Sequence, residues 1–479
     1  MKRNLIWYTS YYFLSLVLMR GCGLFSKILL ARTITPYEYG LITLFVLTLP
    51  GALQFVTGFC FFDILGHARE GKKYFGFTLI YGFVSIVILA VILFLFPSPF
   101  FTFLNIPSNY WSLLSLILIG VLFAVTFNSA IFGLLRGVRN HALAANFSTA
   151  PSLLRVIFIF LAIFFLGITD PYLILVIFAL PAIIVLIFVV VLKRKTIAKS
   201  LQSINVPTKN MMLFGFSFFI LSSWFGLSQQ INSVIISHDL GITWQGYYDV
   251  SLSMVAIIGF FPAALYEISA PETTANNSRT DVFIIPGGFG DIGRFIFSIC
   301  LLCVLVLFFY AHQLTLLLFT DNYAIAADYL VILAIGYTVL FIQQFNTFLR
   351  ISAFREKMLI AISLLTVVCI GIFPFFTHFM IIYFNFLGVY LATTIFIIMY
   401  TLGSILIIND LSLVKLLFLK IDRLILTFTV TFIIVYLLKL SLIPGLIIAS
   451  VSFIFLIIAT GYIEKNMILS LIPIKNKYP

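Results

Sequence analysis

Three basic residues stand where basic residues are costly. Arg20, Lys27 and Arg155 each fall inside a long apolar stretch. A guanidinium or ammonium at the centre of a bilayer costs roughly 2.5–3.5 kcal/mol even on the lenient insertion scale. Each must therefore face a cavity, a partner or a polar helix contact. Arg20 and Lys27 are seven residues apart, so they share one helix face about 10 Å apart along its axis. One use for such charges is to hold an anion, because guanidinium groups bind phosphate oxygens bidentately. The other is to bond backbone carbonyls where helices meet, and Lys27, nearer the end of its run, can also snorkel to the interface.

Two further groups have chemistry available to them. Gln229, Gln230 and Asn232 cluster in one apolar run, and Gln343, Gln344 and Asn346 in another. Primary amides both donate and accept, which suits sugar hydroxyls and equally suits hydrogen bonds between helices. Asp249 and Glu267 lie near the two ends of a third run. Either fits a proton or Na⁺ for energy coupling, with solvation at the span end as the alternative. Trp111, Trp244, Tyr247 and Tyr248 stand at run ends and read as interface belts. His141, His312 and His378 also lie near run ends, without ligand-like spacing.

Other patterns lack the context they need. Cys300 and Cys303 form a C-x-x-C inside an apolar run with no second ligand pair, so no metal site is expected. Gly288-Phe-Gly290-Asp-Ile-Gly293 matches G-x-G-x-x-G, yet it leads straight into an apolar run rather than a βαβ unit. No cofactor, metal or catalytic residue is expected.

The elements that position these residues follow from composition. Of 479 residues, 62% are hydrophobic and 9% charged. Ordinary soluble domains are about 25% charged, so a soluble enzyme, a disordered chain and a disulfide scaffold are all excluded. Continuous apolar runs of about 20 residues predict membrane helices. Fourteen are expected, from 5–31 at the start to 445–463 at the end, and Lys2 and Arg3 introduce a retained first helix rather than a cleaved leader. With the N-terminus in the cytoplasm, 23 of the 28 basic residues fall on the inner side and only Arg32 and Lys439 outside. This is the positive-inside pattern. It assigns the net charge of +12 to topology at anionic lipid rather than to nucleic acid, and it puts both termini in the cytoplasm.

An internal repeat divides the chain. Thr35 and Tyr39 after the first span recur as Thr243 and Tyr247 after the seventh, at an offset of 208. Arg136 and Arg350, each preceded by Leu, recur at a similar spacing. Two six-helix halves entering the membrane in one sense are related by an axis along its normal. The expected architecture is an all-α polytopic protein with two pseudo-symmetric six-helix lobes around a central cavity. The lobes span 1–192 and 212–408, joined by a cytoplasmic linker at 193–211. Residues 409–479 add two helices and a basic tail.

The run Arg20-Gly21, Leu30-Ala31-Arg32 and Thr35-Pro36-Tyr37-Glu38-Tyr39-Gly40 resembles the first-helix signature of polysaccharide transporters, the Wzx-type O-antigen flippases. Leu135-Arg136-Gly137-x-Arg139, Leu318-Phe319 with Tyr323 and Ala326, and Leu387-Gly388-Val389-Tyr390-Leu391-Ala392-Thr393 resemble later segments of the same family. The resemblance places the chain in the superfamily of multidrug, oligosaccharidyl-lipid and polysaccharide exporters. It implies a flippase that carries a polyprenyl-linked oligosaccharide, or a related envelope-polysaccharide precursor, from the cytoplasmic to the outer leaflet of the inner membrane by alternating access. Partners would be the polyprenyl phosphate or pyrophosphate carrier and membrane lipids, with glycan-assembly proteins as further candidates. No nucleic acid is implied, and a monomer is expected.

On that reading Arg20, Lys27 and Arg155 take the anionic headgroup. The amides Gln229, Gln230, Asn232, Gln343 and Gln344 meet sugars or the opposite lobe, and Asp249 or Glu267 serves ion coupling. There is no P-loop, leaving an ion gradient or the membrane potential as the energy source. A drug or organic-cation antiporter of the same superfamily is the alternative. It needs membrane-buried carboxylates, and the first lobe has none at mid-depth. A membrane-embedded glycosyltransferase or glycan polymerase is a second alternative, disfavoured by short outer loops in which Asp170, Asp239 and Asp321 stand singly.

Overall fold

In the computed structural model the chain is helical, with no strand among the described residues, which are 2–59, 61–67, 71–137, 141–168, 170–202, 204–277, 289–348 and 356–463. The first part holds α1 (Lys2–Ala31), α2 (Pro36–Thr43), α3 (Leu49–Gly58), α4 (Phe61–His67), α5 (Phe75–Leu95), α6 (Pro97–Phe103), α7 (Trp111–Gly137), α8 (His141–Phe160) and α9 (Pro171–Gln202). Then come α10 (Lys209–Asp239), α11 (Ile242–Asn277), α12 (Phe289–Leu318), α13 (Leu330–Phe348), α14 (Glu356–Ile408), α15 (Ser412–Leu417), α16 (Ile421–Leu438) and α17 (Leu442–Ala459).

Among the described residues ten helices are long and apolar enough to cross a bilayer, or eleven if the bent pair Lys209–Leu221 and Ser223–Asp239 is one span. One of them, Ile360–Ile408, is 49 residues long, about twice what a bilayer needs. It breaks at Asn385, where φ is 49° and ψ −135°, so it accounts for two spans. With α1 and α11, each of the fourteen expected spans falls on a helix. The chain is a multi-pass membrane protein of helices. The sequence could not show that the second span is α2 and α3 joined through a π-helical turn at Leu44–Thr48. Nor could it show that α9 continues as helix to Gln202, through the basic stretch that begins at Lys193.

Two compact units result. The first comprises Met1–Val250 with Thr366–Val389. Here α1 lies along α8, with the Ser15 hydroxyl donating to the Ala145 carbonyl at 2.9 Å. Thr57 and Thr126 join α3 to α7 at 2.7 Å. An apolar core of Leu65, Phe75, Leu79, Ile131, Val185 and Val189 fills the space between α4, α5, α7 and α9. Buried hydroxyls that bond one another or a carbonyl are what a helix bundle in lipid requires, because no water is present to satisfy them.

The second unit comprises Ser251–Leu365 with Tyr390–Pro479. Gly293 of α12 lies against Phe345 of α13 and Leu417, and Phe297 stacks on Phe341 with centroids 6.1 Å apart. The glycines of the G-x-G-x-x-G pattern that fall in the described part therefore serve helix packing, with Gly290 beside Leu416. The strand-like stretch 282–285 lies outside the described residues. The last two helices pack on α12 through Tyr310, Val435 and Ala449.

Candidate functional site

The motif Thr35-Pro36-Tyr37-Glu38-Tyr39-Gly40 is a helix start. The Thr35 hydroxyl accepts from the Glu38 amide, and the Glu38 carboxylate accepts from the Thr35 amide at 2.9 Å. This reciprocal pair satisfies two otherwise unbonded donors, and Pro36 has the φ that a first helical position needs. The cap fixes where α2 begins, and so where Tyr39 points. The Tyr39 ring is fully buried, and its hydroxyl donates to Asp249 Oδ2 at 2.7 Å.

Asp249 lies about 10 Å into α11 at 1.5 Å per residue. It is held by more than Tyr39. Lys27 Nζ of α1 donates to both carboxylate oxygens, at 2.9 Å and 2.8 Å. The side chains of Lys27 and Asp249 retain 19% and 10% of their exposure. The Lys27 side chain is therefore the more exposed member of the pair. Neither residue behaves as its isolated position suggested. Asp249 is not a solvated span end, and Lys27 does not simply snorkel, because each neutralises the other.

Close backbone approach surrounds this ion pair. A Cβ on Gly40 would lie 2.2 Å from the Ile242 carbonyl oxygen, and one on Gly246 would lie 2.3 Å from the Pro36 carbonyl oxygen. The first turns of α2 and α11 thus cross glycine to glycine, which is possible only without side chains at these two positions. Next to the crossing, the Thr43 hydroxyl donates to Gln245 Oε1 at 3.4 Å. Deeper along α11, the Tyr248 hydroxyl donates to Gln229 Oε1 at 2.6 Å and accepts from Asn232 Nδ2 at 3.2 Å. Asn232 Oδ1 accepts in turn from Thr377 at 2.9 Å. Tyr248 is fully buried, which corrects its reading as an interface-belt residue. At the end of α10, His378 Nδ1 meets Asp239 Oδ2 at 2.7 Å.

The remaining expected residues divide. Arg20 is exposed on α1, two turns before Lys27. Arg155 is engaged within its bundle: Nε donates to the Phe178 carbonyl at 3.2 Å, and the guanidinium lies 4.3 Å from the centroid of the Phe178 ring. Gln230 packs against Gly51, and its Oε1 is buried without a partner. Gln343 donates to the Thr347 hydroxyl at 3.2 Å, while its Oε1 and both polar atoms of Asn346 are buried without partners. Gln344 is half-buried. The two amide groups lie in different units, with Gln229, Gln230 and Asn232 in the first and Gln343 and Gln344 in the second. Glu267 falls on α11, but its side chain lies outside the described residues. No group of three His, Cys, Asp or Glu able to hold a metal occurs among the described residues.

Tyr39, Thr43, Gln245 and Tyr248 were missed as members of this polar seam. A signal was present, since Tyr39 is part of the repeated turn. The seam, however, joins segments more than 200 residues apart, and periodicity within either half does not reveal that.

The sequence profile of a family described as polysaccharide biosynthesis proteins matches residues 5–265. The chain belongs to this family. No curated protein matches the sequence. Among solved structures, the lipid II flippase MurJ in an inward-closed conformation superposes with a TM-score of 0.61 at 14% identity, covering 94% of this chain and 98% of that one. An inward-facing multidrug-resistance MATE transporter of the MOP superfamily gives 0.55 at 14% identity, covering 84% and 96%. A MOP-superfamily transporter from Pyrococcus furiosus gives 0.56 at 15% identity, covering 86% and 96%. The family member described here therefore has the MOP-transporter fold over most of its length.

Proposed function

We propose that this protein flips a polyprenyl-linked oligosaccharide, or a related cell-surface polysaccharide precursor, from the cytoplasmic to the outer leaflet of the inner membrane. Both termini then lie in the cytoplasm, the lipid carrier is the partner, and the chain works as a monomer. The observation that carries the reading is the pairing of Arg20 and Lys27 on one face of α1, with Lys27 the more exposed member of its ion pair. A diphosphate crossing oil needs cations along its path. Membership of a polysaccharide-biosynthesis family and the fold of a lipid II flippase support the same cargo class.

Arg155 takes a different part in this proposal from Arg20 and Lys27. Its bond to the Phe178 carbonyl and its stacking on that ring give it a helix-packing role. The amides of α10 contribute to the same polar seam, and those of α13 remain proposed sugar contacts. Glycan-assembly proteins are proposed to deliver the cargo. The organic-cation antiporter is the weaker reading, because Lys27 already occupies the carboxylate that such a substrate would need.

Replacing Arg20 by Ala tests the headgroup role in cells lacking the native copy. The expected result is a surface-glycan loss of about tenfold or more, with lipid-linked glycan accumulating on the cytoplasmic leaflet. Normal surface glycan from a well-inserted Arg20→Ala protein contradicts the role.

A further inference from the structure

The Lys27–Asp249–Tyr39 cluster is built in a way that a simple anion site does not require. If Lys27 only awaited a phosphoryl group, a carboxylate bound to it through both oxygens would be a competitor for the same ammonium. An anionic cargo can engage Lys27 fully only by drawing it from Asp249. The Asp249 side chain, 10% exposed in the formed pair and held by Tyr39, then loses the Lys27 ammonium, and removing one partner of a largely buried ion pair is strongly disfavoured. The Tyr39 bond cannot neutralise that charge; a proton can.

We propose that Lys27 is an exchangeable counter-ion, paired with Asp249 in the empty transporter and with a phosphoryl oxygen of the cargo in the loaded one, and that Asp249 takes up one proton in the exchange. This rests on the flippase reading above and adds its coupling step. The balance is simple. The Lys27 Nζ–H···Oδ contacts to Asp249 break, Nζ–H···O–P contacts form, and one proton from solvent forms an O–H bond on Asp249. The site's own net charge rises by one as one negative charge of the cargo enters it. Lys27 from α1 and Tyr39 from α2 are titratable groups bonded to the carboxylate. The neighbouring segments contribute neutral groups, with Gln245 and Thr43 on one side and Gln229, Asn232 and Thr377 around Tyr248 on the other. The Asp239–His378 pair, a further titratable pair, lies at the end of α10 and has no bond to Asp249 among those described here.

The exchange has a mechanical consequence. Lys27 and Tyr39 tie the first-half helices α1 and α2 to the second-half helix α11, beside the Gly40–Gly246 crossing. Drawing Lys27 away loosens that tie when cargo is present and not otherwise.

The test uses the purified full chain and a prenyl diphosphate hexose, in which both phosphorus atoms are substituted so that the probe has no titrating proton near neutrality. Proton uptake is counted in weakly buffered solution as the probe binds, and the affinity is followed against pH. The expected result is one proton taken up per probe bound. By linkage the affinity then falls about tenfold per pH unit over the range where uptake is complete. Asp249→Asn should bind at least as tightly as the wild type, with no proton uptake and a flat pH profile. Lys27→Arg should retain both properties. The wild-type count decides the matter even if a variant does not fold. Binding without proton uptake, Na⁺-dependent binding at fixed pH in its place, or weaker binding by a folded Asp249→Asn chain overturns the exchange while leaving the flippase reading intact. Failure of the wild-type chain to bind the probe at all overturns both.

Discussion

A buried charge is explained by what satisfies it, and here the three basic residues have three different settings. Arg155 donates to a carbonyl and lies over the Phe178 ring; Lys27 is bound to Asp249; Arg20 is exposed. Sequence alone identified all three as costly in lipid but could not show what Lys27 and Arg155 meet, since those partners lie on other helices. For Lys27 that partner is 222 residues away. Arg155→Met should therefore weaken the α8–α9 contact, by about 1–2 kcal/mol for the lost cation–π stacking and hydrogen bond. A lower thermal midpoint in detergent would show this, and glycan transport by the folded variant should persist. Lost transport at an unchanged midpoint would return Arg155 to the cargo path.

At the scale of elements, spans were legible and joints within a span were not. Apolar runs mark helices because the bilayer demands about 20 such residues. The π-helical turn at Leu44–Thr48 leaves the apolar run uninterrupted, so hydropathy passes over it, whereas the break at Asn385 falls between the expected spans 358–380 and 387–408. The Thr35–Glu38 box was visible as a motif, but its purpose became clear only with Tyr39 seated on Asp249. Thr35→Ala should cost about 1 kcal/mol, the usual loss of a good N-cap, and should loosen Tyr39 with it. Gly246→Val should be worse, since even a Cβ there meets the Pro36 carbonyl. Its expected effect is separation of α2 from α11, read as faster thiol labelling of a cysteine introduced at Thr43. Unchanged labelling would show that the crossing is not a close contact in the membrane.

For the whole molecule, composition alone was enough to predict a polytopic helical protein, and the resemblance carried by Arg20-Gly21 and Thr35–Gly40 pointed to the right family. The polar seam was not legible, because it is assembled from both halves of the repeat: Asp249 and Gln245 from the second meet Lys27, Tyr39 and Thr43 from the first. In the proposed exchange, that assembly is what would link cargo recognition at the ion pair to movement. Removing one partner alone would leave a buried charge, at about 3–5 kcal/mol. The neutral pair Lys27→Gln with Asp249→Asn avoids this and isolates function from folding. The most direct measurement is leaflet-specific labelling of a lipid-linked oligosaccharide in vesicles containing the purified protein. Wild-type protein should bring the labelled sugar to the opposite leaflet, and the neutral double variant, equally well inserted, should leave it where it began. Equal flipping by the two proteins, or none by the wild type, would contradict the account.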